Sequence, residues 1–207
     1  MLDPAIPERE VVEQPIAAAN VVPAPVTSTP DPETRWQPQQ SLASGDLDTQ
    51  MTRIQNWALT RLGSDAFITS LMPGYDLLNR SRSDQIRTLW LDIGADQRER
   101  IPGFAAEFDP AALSAEPAGT ACELFLPAFI PIADRDGTTL FVDTRKGELS
   151  GCVGEYTAEG ASEGWLWPSI TDMFGALADS LEAESVFMNY RPMVRDRTLA
   201  WNREPRS

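Results

Sequence analysis

Apolar residues first recur at helical spacing at Met51, Ile54, Ala58 and Leu62, with Trp57 beside the stripe, and this predicts an amphipathic helix. Asp46 or Asp48 is placed to cap it by accepting backbone N–H bonds. Gly63 is a natural stop, because glycine takes the left-handed C-terminal conformation without strain. A short apolar run at 67–71 and a turn at Met72-Pro73-Gly74-Tyr75 follow. A second helix is expected to begin near Ser83, where Ser81 and Asp84 have capping-box-like spacing, and to end at Gly94. Ile86, Leu89, Trp90 and Ile93 form its apolar face. Ile101-Pro102-Gly103-Phe104 then punctuates the chain, a short helix or turn is expected at 105–108, and the Ala/Pro-rich stretch to Thr120 reads as a surface connection.

From residue 122 the period changes. Residues 122–132 are strand-like but carry Pro127 and Pro131, which cannot donate a ladder hydrogen bond and so belong at a strand start, an edge or a bulge. Asp134-Arg135-Asp136-Gly137 is a turn, with Asp-Gly as a strong hairpin signal. Residues 138–143 form a second strand, Arg145-Lys146-Gly147-Glu148 another turn, and residues 149–157 a third strand in which Gly151 and Gly154 admit a bulge or a close neighbour. Three strands at this spacing imply an antiparallel meander. Trp165-Leu166-Trp167 leads into a helix capped by Ser169, with Asp172 three residues on and a stripe of Ile170, Met173, Phe174, Leu177 and Leu181. That stripe must lie on an apolar surface, and the meander supplies one. Residues 186–190 and 198–201 are expected to close the chain as two short strands joined across Arg191-Pro192.

The organisation is therefore one α+β domain over residues 46–207, preceded by a Pro-rich acidic tail over 1–45. Eight of the 17 prolines fall in that tail, acidic residues outnumber basic ones by six to two up to position 40, and Trp36 is its one aromatic. Such a segment buries too little apolar surface to offset the entropy of ordering, so it is expected to be disordered or polyproline-like. It is either a passive terminus or a docking segment anchored by Trp36.

Charge and residue counts narrow the chemistry. The net charge is −14, which repels phosphate backbones and anionic bilayers, so neither nucleic acid nor membrane is expected as a partner. A basic protein partner is compatible with it. The chain has no histidine, which removes Ser-His-Asp and Cys-His nucleophile systems and imidazole metal sites. Two cysteines, Cys122 and Cys152, are too few for a disulfide scaffold or an all-cysteine zinc site. They read as two buried thiols or as one bridge between neighbouring strands. No apolar run approaches the ~20 residues needed to span a bilayer, and Met1-Leu2-Asp3-Pro4-Ala5 lacks a basic region and a hydrophobic signal core. A cytoplasmic location is expected. No cofactor or metal is expected.

Three sets of residues are candidates for function. Asp134, Asp136 and Asp143 cluster on one hairpin. They form either part of a cation site, without the converging oxygens calcium needs, or turn-forming aspartates that bond their own backbone. Tryptophans 57, 90, 165, 167 and 201 are either a ligand cage or core. Of the neighbours Trp165 and Trp167, the first is the better candidate for exposure and the second for packing. Glu155, Tyr156, Glu159, Glu163 and Trp165 are the candidate partner-binding residues. Carboxylates around an aromatic suit a basic partner and steer its approach, whereas the plain alternative is a solvated loop.

The stretch LPAFIPIADRDGTTLFVD at residues 126–143 resembles the central signature of the SUKH superfamily, which includes the yeast cell-wall assembly regulator and many bacterial proteins. Gly151-Cys152-Val153, the aromatic-rich segment 165–181, Asn56-Trp57-Ala58-Leu59 and Tyr190-Arg191-Pro192 with Leu199-Ala200-Trp201 also resemble family elements, in the family order. The likeness covers about residues 48–201 and is weakest over 95–120. It implies a single α+β domain with a twisted, mainly antiparallel sheet packed by helices. It also implies a non-enzymatic protein-binding role, as an immunity (antitoxin) protein against a basic toxin domain or as a regulator. A scaffold or adaptor linked to cell-wall regulation is the alternative, and a small-ligand binder or carboxylate-based enzyme comes behind both.

Overall fold

The computed structural model describes residues 46–64, 68, 70–157, 159 and 161–205. The expected tail with Trp36, and Phe67 of the short apolar run, lie outside the described residues. The chain runs α1 (Leu47–Arg61), β1 (Asp76–Leu77), α2 (Arg80–Arg100), α3 (Phe104–Glu107), α4 (Pro110–Ala115), β2 (Phe129–Arg135), β3 (Thr138–Asp143), β4 (Cys152–Thr157), β5 (Trp165–Trp167), α5 (Ile170–Ala183), β6 (Tyr190–Arg195) and β7 (Thr198–Arg203). Among the described residues β1 to β5 form an antiparallel sheet in sequence order, and β6 pairs with β7. This is the expected α+β architecture, with the meander extended from three strands to five.

Local chemistry sets the turns. The β2–β3 hairpin closes through Asp136 (φ 37°) and Gly137 (φ 84°). Two consecutive left-handed residues match the right-handed twist of the flanking strands, which is why Asp-Gly marks the site. Pro131 sits where the β2–β3 register shifts between Pro131 and Ala133, so the residue without an N–H falls at a bulge, as its chemistry demands. A second shift, between Val153 and Gly154, lies where β4 meets β5. A Cβ on Gly154 would stand 2.7 Å from the Phe141 ring and 3.0 Å from the Gly164 carbonyl oxygen, so glycine is required there.

The sheet is covered on both faces, and strand alternation assigns the residues. Leu140 and Val153 face α1 and α5, together with Met173, Leu177, Leu181 and Trp167. Phe141, Phe129 and Tyr156 face the other way, into a second core closed by Ile86 and Trp90 of α2 and by Leu124, Phe125 and Leu126. Each fully buried Leu, Phe or Met contributes roughly 1.5–3 kcal/mol. Arg53 of α1 fastens the first layer by bonding Asp179 and Glu182 of α5. The β6–β7 hairpin docks at the end of α1, where Arg197 donates from Nε to the Leu62 carbonyl at 2.8 Å.

Several elements differ from the sequence-based expectation. The helix α2 starts at Arg80, capped by the Asn79 side chain accepting from the Arg82 N–H at 2.9 Å, and it passes through Gly94 to Arg100. Glycine in a helix interior costs only about 1 kcal/mol relative to alanine, and the stronger stop is Ile101 before Pro102, held extended. Leu89 and Ile93 lie outside the contact with the sheet and are exposed; Ile86 and Trp90 alone are buried. Residues 122–128 are irregular rather than a strand, although Leu124, Phe125 and Leu126 are buried. Trp165–Trp167, which leads into α5 as expected, is itself an edge strand. Arg191 and Pro192 lie inside β6, and the connection is Asp196-Arg197, both at positive φ (48° and 60°).

Candidate functional site

Arg145 and Asp143 flank the turn after β3 and are both buried, with side chains 1% and 2% exposed. Arg145 donates to both Asp143 carboxylate oxygens, to the Thr120 carbonyl at 2.7 Å and to the Leu113 carbonyl at 3.0 Å. Asp143 also accepts from the Gly119 N–H at 2.9 Å and from the Arg145 N–H at 3.0 Å. A buried charge pair is tolerated only when its remaining donors and acceptors are satisfied, and here the backbone of 113–120 satisfies them. The Ala/Pro-rich stretch is thus a surface connection, as expected, but one bound to the sheet through its backbone and carrying the short helix α4.

That stretch shapes one edge of the molecule. A Cβ on Gly119 would stand 2.9 Å from both Leu149 Cδ1 and Trp165 Cδ1, so the two side chains close on its backbone. Trp165 is nevertheless 39% exposed, while Trp167, two residues on, is 1% exposed and stacks on Phe187 at 5.7 Å. Residues two apart share a face of a regular strand, but here the β4–β5 register shifts between Val153 and Gly154, opposite Trp167 and Trp165, and such a bulge re-aims a side chain. Glu163 and Glu159, on the segment leading to β5, are exposed.

The other two candidate residues are not brought to this surface. Tyr156 is buried in the second core, with its hydroxyl donating to the Glu123 carbonyl at 3.0 Å. Glu155 projects from the opposite face of β4 and accepts from the Tyr75 hydroxyl, with the Arg135 guanidinium 4.5 Å over the Tyr75 ring. Adjacent strand residues point to opposite faces, so Glu155 and Tyr156 cannot share one patch. Arg145 and Gly119 were missed. The signal available for Arg145 was a single Arg two residues after a strand-terminal Asp, and its carbonyl partners lie 25 and 32 residues away.

The three aspartates serve three separate structural ends. Asp136 occupies the turn, Asp143 holds Arg145, and Asp134 accepts from Thr139, which accepts from the Trp90 indole, both at 2.9 Å. Among the described residues no group of His, Cys, Asp or Glu is placed to hold a metal. Trp57, Trp90 and Trp167 are buried in the core. Trp201 is partly buried there and donates to the Ser70 carbonyl, so no cage forms.

Cys122 and Cys152 are buried free thiols. Burial, reinforced by the Asp143 carboxylate, pushes Cys152 up to about 11. Burial raises Cys122, pushes the Tyr156 phenol up to about 12, and, with Glu155 second, raises Tyr75. Each group is held neutral in the fold more strongly than in the unfolded chain. The resulting stability is complete below the ordinary values of 9.0 for Cys and 10.0 for Tyr and is lost as pH rises through the folded values. Denaturant titrations are expected to show stability level from about pH 7 to 9, then falling by roughly 2–3 kcal/mol for each of Tyr156 and Cys152 by about pH 12. Tyr75 and Tyr156 phenolates should form in the folded protein only well above pH 10; ionisation of either phenol near pH 10 with the fold intact would contradict this assignment.

Among the described residues no helix is long and apolar enough to cross a membrane. No family model, curated protein or solved structure matches the chain.

Proposed function

We propose that this chain is a non-enzymatic protein-binding domain of the SUKH type, acting in the cytoplasm as an immunity or regulatory protein that captures a basic partner on the β5 edge. The observation that carries the reading is Trp165, an exposed indole on a strand packed into the sheet. A large aromatic held on a rigid element contributes contact area at little entropic cost, which suits an interface anchor. Glu159 and Glu163, exposed on the segment leading into β5, and the net charge of −14 favour a partner of opposite sign and raise its rate of encounter. The likeness of residues 126–143 to the SUKH signature supports the same reading.

The test is affinity purification of the full chain from its native cells, followed by titration of the recovered partner. A basic protein should bind wild type, and Trp165→Ala should weaken it by at least 2 kcal/mol, roughly thirtyfold, as expected of a central anchor. Glu163→Lys should slow association most at low salt. Unchanged affinity in Trp165→Ala would remove the β5 edge from consideration. Failure to recover any partner from cells in which the chain is expressed would count against the binding role itself.

A further inference from the structure

At the opposite edge of the sheet from β5, the short strand β1 pairs only with Ala133 and Asp134 of β2. The rest of that edge opens on a groove of about 520 Å³, within the ~300–1,000 Å³ range of small-ligand sites. Its lining is mainly apolar: Ile132, Met173 and Phe174 with Leu77 and Ile130, the last two 46% and 45% exposed. Arg80, Asp84 and Arg87 also line it, two guanidiniums against one carboxylate in a chain of net charge −14. Arg87 uses one Nη on the Pro127 carbonyl. Its Nε is buried and has no acceptor among the described residues.

The edge is closed to an added strand. Pro131 has no N–H and its carbonyl accepts from the Ser83 hydroxyl, the Ile132 carbonyl accepts from the Leu78 N–H, and the Phe129 N–H donates to Leu126. An occupant must therefore use side-chain chemistry, which here is an apolar wall plus a guanidinium with a spare buried donor. A carboxylate matches that donor geometry, and an alkyl body matches the wall. We propose that the groove binds a small amphiphilic monocarboxylate, with its alkyl chain against Ile130, Ile132 and Phe174 and its carboxylate on Arg87. This site shares no residue with the β5 edge and stands or falls independently of the partner-binding role.

Calorimetric titration of the full chain with octanoate tests it, with 1-octanol as the uncharged match. One saturable site is expected, with octanoate binding at least about tenfold more tightly than octanol. Arg87→Met should bring the two ligands to within about twofold of each other. Ile130→Asp, at an exposed position that leaves folding intact, should remove binding. Equal affinity for octanol, unsaturable heats, or undiminished binding in Ile130→Asp would overturn the proposal. So would Ile130-dependent sedimentation with phosphatidylglycerol vesicles, which would make the groove a membrane contact.

Discussion

Replacing Arg145 by methionine is expected to cost about 3–5 kcal/mol of folding stability, the cost of breaking a buried ion pair by removing one partner. The variant leaves Asp143 buried without its cation and strips the donors from the Leu113 and Thr120 carbonyls. Against a domain stability of ~5–15 kcal/mol this is a large fraction. Urea denaturation at neutral pH measures it directly. Limited proteolysis should also report it locally, with cleavage within 109–121 at denaturant concentrations where the wild type is resistant, because Arg145 supplies two of the bonds that tie that segment to the sheet. A loss below about 1 kcal/mol would mean that the segment is held by its apolar contacts, such as Ala118, and not by the guanidinium.

Two tryptophans separated by one residue are expected to respond very unequally to truncation. Trp167→Ala should destabilise by roughly 3–5 kcal/mol, since it deletes a fully buried aromatic and leaves a cavity beside Phe187 and the α5 stripe. Trp165→Ala should cost less than about 1 kcal/mol, because its indole is substantially exposed and the site can relax toward solvent. Thermal unfolding of both variants under one condition is the comparison. Similar losses for the two would show that Trp165 is part of the core, and the case for it as an interface anchor would fail on stability grounds before any partner is tested.

The readable parts of the fold are those whose cause lies within a few residues. Asp46 and Ser169 cap their helices through their own side chains. Asp136-Gly137 closes its hairpin, and Pro131 marks its bulge. The stripe of α5 was also legible, because Met173, Phe174, Leu177 and Leu181 are all buried in the core that α5 shares with α1 and the sheet. The stripe of α2 misled because only part of one face meets the sheet, while the helix runs to Arg100. The three residues of β5 are too few to display a strand period.

The candidate site divides along the same line. Sequence alone determined that histidine chemistry is absent and that the net charge is strongly negative, and it made Trp165 the better candidate for exposure of the two neighbouring tryptophans. It could not determine which residues stand beside Trp165. Glu155 is claimed by Tyr75, 80 residues earlier in the chain, and Tyr156 by the core behind α2. Gly119 is held at the Trp165 edge in part by Asp143, 24 residues later, which accepts from its N–H. Caps, turns and composition are local properties, set by the conformational energies of neighbouring residues. Facing, burial and the partner of a charge are settled by contacts between distant segments, and only the folded chain brings those segments together.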